Sequence, residues 1–372
     1  MTERSEEKNR EKERPLLEIR DLTISFGKEA REKGKKGKKG KKGIKRKERL
    51  SAVSFSLKKG EFLCFVGESG SGKSIMALSI LRLLPENSMV EGQVLFQGEE
   101  LTALSERGLD HVRGTGIAMV FQDPLTSLNP VFTVRKQLLE SIRKRWEERK
   151  GEKRPSREEE ESLAKSLLLR VGLPDPEGIL SKYPFALSGG QRQRVMIAMA
   201  LAGKPSLLIA DEPTTALDVT IQAQIMDLFR KLNREEEMSV MLITHDIGLV
   251  AQTADTVCVM YAGQIVEKAE VHELFRRPLH PYTRALLQTV PGTHDDPDRK
   301  LRSIPGMVPE DYGKIAGCRF YERCSERGNS CREDQELCEI LPGHFCRCGR
   351  AGYSGQEARR ETDEGGRDHP EN

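Results

Sequence analysis

The stretch FLCFVGESGSGKS, Phe62 to Ser74, joins three local signals in thirteen residues. Phe62 to Gly67 is a short apolar run ending in glycine, which predicts a central strand buried on both faces. Gly67, Glu68, Ser69, Gly70, Ser71, Gly72, Lys73 and Ser74 follow directly. From Ser74 the text IMALSILRLLP has helical period and stops at Pro85. A glycine-rich turn between strand and helix lets successive N–H groups turn inward on phosphates, and the helix N-terminus adds partial positive charge. In such a loop Lys73 would reach the β- and γ-phosphates of a nucleotide, and the Ser74 hydroxyl would sit on Mg²⁺. The alternative, a chance Gly/Ser loop, fits poorly with a complete motif set between strand and helix.

Outward from this loop, strand text alternates with helical text. Pro15 to Phe26 reads as a first strand, and Leu50 to Glu61, Val90 to Phe96 and Ile117 to Phe121 as further strands. Gln122 to Leu201 turns mostly helical, with Ser156 and Glu159 spaced as a capping box. Ser206 to Asp211 and Ser239 to Asp246 are buried strands, each followed by a helical segment. The order predicts an α/β fold with a mostly parallel sheet covered on both faces. Asp211 closes an apolar strand, where a carboxylate beside a phosphate loop can hold Mg²⁺. Glu212 follows it, placed to act as general base on an attacking water. Without the phosphate loop, the pair would read equally well as helix caps.

LSGGQRQR (Leu187 to Arg194) and, after it, DEPTTALD (Asp211 to Asp218) resemble the signature and second nucleotide motif of ABC ATPases. The resemblance spans roughly residues 15 to 290 and implies a P-loop NTPase of ABC type, with an inserted helical subdomain over about residues 123 to 201. It implies that Ser188, Gly189, Gly190 and Gln191 close over ATP held by an opposite cassette, so that the active unit is a dimer. By the same resemblance Phe26 stacks on adenine, though a packed strand residue is the plainer alternative. Gln122 approaches Mg²⁺ and the water and faces a membrane subunit. His245 contacts the γ-phosphate and supports Glu212, and Asp218 communicates across the dimer. Lys73, Glu212 and His245 are the expected catalytic residues; Ser74, Gln122 and Asp211 are those expected around Mg²⁺.

FQDPLTSLNPVFTV, MYAGQIVE and HPYTRALLQTVP resemble more narrowly the oligopeptide, dipeptide and nickel importer ATPases, and GESGSGKSIMALSILRLLP the first of their two ATPase subunits. The partners implied are a second cassette (different or identical), two transmembrane permease subunits and, indirectly, an extracytoplasmic binding protein. The implied place is the cytoplasmic face of a bacterial membrane, peripherally. YPFALSGG departs from the family's usual approach to the signature at Phe185 and Ala186. Rival readings are a non-transport ABC ATPase on nucleic acid and a regulatory module without hydrolysis. A single compact cassette argues against the first, and intact Lys73, Asp211, Glu212 and His245 against the second.

From about Pro291 the composition turns to Gly, Pro and Cys, giving an expected extension over residues 291 to 350. IPGMVP, GCRFYERC and LPGHFCRC resemble the importer family's C-terminal region. Clustered cysteines in a reducing compartment favour metal over disulfides. Cys318, Cys324, Cys331 and Cys348 match the family's four positions, which implies a [4Fe–4S] cluster, with Zn²⁺ as the alternative. Unligated reduced thiols are the plain reading. Cys338 and Cys346 are extra, and Cys64 and Cys258 lie in apolar strand text as small buried hydrophobes.

The 372 residues are 32% charged and 37% hydrophobic, enough for two domains with a solvated surface. No run of about 18 apolar residues is present, so no membrane span is expected. The charged start has no apolar signal segment, which points to the cytoplasm. Lys28 to Arg49 holds 13 Lys or Arg against 3 Glu, so with a net charge of +3 the remainder is acidic. This segment reads as a flexible basic loop (residues 28 to 49) that could meet anionic lipid or, nonspecifically, nucleic acid. Residues 1 to 14 and 351 to 372 read as disordered tails.

Overall fold

A computed structural model describes residues 14–31, 42–148, 154–215, 217–289 and 304–351. The first elements are β1 (Leu17–Arg31), β2 (Lys42–Leu57), β3 (Phe62–Val66) and α1 (Lys73–Ile80). Then come β4 (Ser88–Phe96), β5 (Glu99–Glu100), α2 (Glu106–Val112) and β6 (Ile117–Val120). Five helices follow: α3 (Pro124–Ser127), α4 (Val134–Glu148), α5 (Arg157–Arg170), α6 (Pro176–Ser181) and α7 (Gly189–Leu201). The chain returns through β7 (Leu207–Asp211), α8 (Val219–Glu236), β8 (Ser239–Thr244), α9 (Ile247–Thr253), β9 (Thr256–Tyr261) and β10 (Gln264–Glu270). It ends with α10 (Val271–Arg276), α11 (Pro281–Leu287), β11 (Cys338–Leu341) and β12 (His344–Cys346).

β3 sits inside an eight-stranded sheet of order β11-β12-β10-β9-β3-β8-β7-β6. From β9 to β6 all neighbours are parallel, as strands separated by helices require. The FLCFV text is completely buried, and its side chains alternate between two cores. Phe62, Cys64 and Val66 face the helices with Leu208, Val240 and Val257. Leu63 and Phe65 face the other side, against Ile24, Val53, Met76 and Ile243. That second side is roofed by an antiparallel sheet of order β2-β1-β4-β5. Cys64 and Cys258 are fully buried in these cores, with burial holding their thiols up, Cys258 at about 12.

Helices α4 to α7 pack on one another through Leu138, Ile142, Leu167, Leu180 and Val195, which sets the helical block beside the sheet. Helix α5 starts where Ser156 Oγ accepts from the Glu159 N–H and the Glu159 carboxylate accepts from the Ser156 N–H.

One boundary differs from the sequence reading. β1 runs on to Arg31 and β2 begins at Lys42, with Lys28 opposite Lys45 and Phe26 opposite Lys47. Residues 28–31 and 42–49 of the expected loop are therefore strand, and residues 32–41 within it lie outside the described residues. Backbone pairing carries a strand through lysine-rich text that offers no apolar face, so periodicity could not reveal it. The C-terminal extension joins the cassette's own sheet. β12 pairs with β10, Glu267 opposite Cys346, and β11 adds to β12. The tails at residues 1–13 and 352–372, with residues 290–303 of the approach to the extension, lie outside the described residues.

Candidate functional site

The phosphate loop turns through three glycines of positive φ, two of them where a side chain has no room. Gly67, Gly70 and Gly72 have φ of 151°, 82° and 102°. A Cβ on Gly67 would lie 2.2 Å from the Met260 carbonyl oxygen, and one on Gly72 2.7 Å from Leu50. The ammonium of Lys73, 4% exposed, donates to the Gly67 and Glu68 carbonyls at 2.7 and 3.1 Å and to Ser71 Oγ at 3.4 Å. Burial lowers its pKa, while Glu212, Asp211 and Glu68 pull it back up. An anion bound in the loop would do the same, so Lys73 is a cation poised for phosphate.

At the end of β7, Asp211 Oδ1 accepts from the Ser74 hydroxyl at 2.9 Å. Burial raises the Asp211 carboxyl, opposed first by that hydrogen bond. Two adjacent hard oxygen donors are what Mg²⁺ takes from protein, so Ser74 and Asp211 fit the ion. Glu212 turns sharply out of the strand with φ of 45°, a conformation that costs about 1–3 kcal/mol in a non-glycine residue. Its N–H donates to the Ile243 carbonyl on β8 at 2.9 Å, which holds the turn. Three groups converge on Glu212 Oε2. Gln122 Nε2 and Thr215 Oγ1 donate at 3.0 Å each, and His245 Nδ1 lies at 3.3 Å. The carboxylate is thus oriented by its own turn through Thr215 and by two residues distant in sequence, Gln122 and His245. This is the arrangement a general base requires.

The signature segment stands apart. Ser188 caps α7, accepting from the Gln191 N–H at 3.3 Å, and its own N–H donates to Gln191 Oε1 at 3.1 Å. Ser188 and Gly189 are exposed. A Cβ on Gly190 would lie 2.9 Å from Ile221, in the first turn of the helix that Asp218 caps through the Ile221 N–H at 2.9 Å. Signature and Asp218 therefore share one surface, and their side-chain hydrogen bonds stay local rather than reaching the phosphate loop. Phe26 is half-buried and packs against the roof-side core.

Behind the loop lie α11 and the extension. Tyr282, on α11, accepts from the Glu68 N–H at 2.9 Å. Arg323 clasps the Glu68 carboxylate through two nitrogens, at 2.6 and 2.9 Å. Arg319 reaches Glu48 at 2.6 Å and the Ala262 carbonyl at 2.6 Å, and the Tyr312 hydroxyl donates to the Arg49 carbonyl at 2.9 Å.

Residues 50–215 match the family described as ABC transporter, and residues 266–331 the oligopeptide/dipeptide transporter C-terminal region. A probable peptide ABC transporter ATP-binding protein of Sinorhizobium fredii is 49% identical over 340 residues, 90% of this chain and 95% of that one. The chain belongs to the ABC transporter ATPases of the oligopeptide/dipeptide type. The dipeptide transport ATP-binding protein of Escherichia coli is 43% identical over 88% of this chain and 93% of its own. An ATP-binding cassette solved as a dimer after hydrolysis, with ADP and Pi, superposes with a TM-score of 0.57 at 29% identity, over 69% of this chain and 99% of that one. This ABC ATPase is therefore an ATP-hydrolysing cassette of α/β fold. Among the described residues no helix is long and apolar enough to cross a membrane.

Three residues of the ATPase site escape sequence reasoning. Thr215 sits in the quoted DEPTTALD text, but nothing there says that it holds Glu212. Tyr282 and Arg323 lie 214 and 255 positions from Glu68, and no local pattern announces such pairings. The cysteines differ from expectation. Among the described residues no three His, Cys, Asp or Glu side chains stand close enough to hold a metal ion. Cys318, Cys324, Cys331 and Cys348 nevertheless line one pocket of about 730 Å³. Burial raises their thiols where a shift is resolved, Cys318 to about 11. Cys338 is exposed, while Cys346 is buried on β12.

Proposed function

We propose that this ABC ATPase powers import of oligopeptides or dipeptides, binding ATP at the loop from Gly67 to Ser74 and hydrolysing it with Glu212 as base. The observation that carries the reading is the peptide-transporter extension built onto the same sheet and loop that hold the nucleotide-site residues. Lys73 stabilises charge on the transferred phosphoryl group. Ser74, Asp211 and Gln122 would hold Mg²⁺, which when bound neutralises phosphate charge. Gln122, Thr215 and His245 aim Glu212 at the water, and Glu212 takes its proton. Phe26 supplies an aromatic face for adenine. Ser188, Gly189, Gly190 and Gln191, on one surface with Asp218, face the ATP of an opposing cassette, of the same or a different chain. Closure follows because ATP binds the joined pair better than the separated one.

The permease contact belongs beside Gln122. There an apolar groove of about 310 Å³ is lined by Leu83, Met119, Phe121 and Met199, with Leu83 and Phe121 exposed. Cargo is delivered by a binding protein to two permease subunits at the membrane, with this chain at the cytoplasmic face. The four cysteines of the 730 Å³ pocket would hold a [4Fe–4S] cluster, whose chemistry is one-electron transfer or structural bracing. Iron and sulfide analysis of anaerobically purified protein should return about four of each per chain, and zinc alone would remove the cluster.

The cargo assignment is tested by uptake of labelled dipeptide and labelled nickel in cells with and without the gene. Loss of peptide uptake alone supports the reading. Loss of nickel uptake alone keeps the ATPase and overturns the cargo.

A further inference from the structure

The segment between Cys318 and Cys324 reads Arg319-Phe320-Tyr321-Glu322-Arg323, and both arginines turn away from solvent into the cassette. The Arg323 side chain is 7% exposed and that of Glu68 28%. Its guanidinium meets the two Glu68 oxygens with two nitrogens, a planar fork that lysine cannot copy. The same guanidinium donates to the Pro305 carbonyl at 2.8 Å and to the Tyr261 hydroxyl at 3.3 Å. Glu68 is therefore fixed at side chain and backbone by residues of the C-terminal region, Arg323 and Tyr282. Glu68 follows Gly67 in the phosphate loop, and its carbonyl accepts from Lys73.

We infer that Arg323 is a positioning residue for the phosphate loop: by pairing with Glu68 it sets the loop's affinity for ATP and makes nucleotide binding depend on the docked extension. This deepens the ATP-site reading and rests on it. Two effects act together. The pair holds the start of the loop in one conformation, and it cancels a carboxylate that would otherwise repel the triphosphate. The charge effect has a sign that a purely structural role lacks. Without Arg323, Glu68 is an uncompensated negative charge in the loop that receives a polyanion. Removing both charges restores neutrality.

The test is binding of a fluorescent ATP analogue and the ATPase KM in the full-length protein. Arg323→Ala should weaken binding and raise KM about five- to tenfold, the size of one charge acting across a partly screened site. Arg323→Lys should recover part of this. The double variant Arg323→Ala with Glu68→Gln should bind more tightly than Arg323→Ala alone, by about threefold or more. Thermal melting and thiol counting on each variant show whether the extension remains folded. If Arg323→Ala unfolds the extension, Arg323→Lys carries the test: it should weaken binding, and combining it with Glu68→Gln should bind more tightly than Arg323→Lys alone. Unchanged KM in Arg323→Ala, or a double variant no better than the single one, would overturn the inference. Lys73→Ala separates the two layers. Retained ATP binding there contradicts the phosphate-loop reading itself, whereas its loss alongside a normal Arg323→Ala contradicts the positioning role alone.

Discussion

At the scale of single residues, the site depends on backbone positions that tolerate one residue type and on hydrogen bonds that aim one carboxylate. Gly67 is the tightest case. A methyl group there would press on the Met260 carbonyl at 2.2 Å, and neither β3 nor β9 can move without disturbing the central sheet. Gly67→Ala should therefore lower the melting temperature by several degrees and abolish nucleotide binding, measured by calorimetry and ATP titration. Thr215 tests the aiming of Glu212. Thr215→Val keeps shape and loses the 3.0 Å hydrogen bond, so kcat should fall about three- to tenfold, on the order of 1 kcal/mol, with KM for ATP little changed. A rise in KM with unchanged kcat would place Thr215 in ATP binding instead.

At the scale of elements, caps and cross-strand bonds decide how pieces join. The capping box of α5 was legible from Ser156 and Glu159 alone, because its partners lie three residues apart. Ser156→Ala should cost about 1 kcal/mol in denaturant unfolding. The extension's attachment was not legible. Glu267, fully buried on β10, accepts from the Leu279 and His280 N–H groups at 2.7 and 2.8 Å and from His344 Nε2 at 2.7 Å. One carboxylate thus ties β10, β12 and the start of α11. Glu267→Leu leaves three polar groups, two of them buried, without this partner and should destabilise by about 3 kcal/mol or more, with Glu267→Gln costing less. Equal losses for both would show that volume, not hydrogen bonding, matters there. β1 and β2 make the complementary point. Their ladder continues through Lys28 and Lys45, where composition alone read a loop, because hydrogen bonds between backbones leave no trace in side-chain type.

At the scale of the whole molecule, the sheet order and the sequence order disagree in the way that builds the site. β3, β7 and β8 are neighbours, so the loop after β3, Asp211 and Glu212 after β7, and His245 after β8 meet at one edge. Phe62 to Ser74 made the first of these legible, since strand, turn and helix signals adjoin. The convergence of Gln122 and His245 on one Glu212 oxygen follows from topology, and sequence text supplied it only through resemblance, while Thr215 joins them from the turn after β7. Ser188 and Asp218 stay exposed on a surface of their own. The measurement that bears most directly on this account is ATP turnover and retained nucleotide for Glu212→Gln beside the wild-type chain. Turnover should drop about 10²- to 10³-fold, ATP should stay bound unhydrolysed, and KM should change little. Undiminished turnover would show that the carboxylate held by Gln122, Thr215 and His245 is not the base.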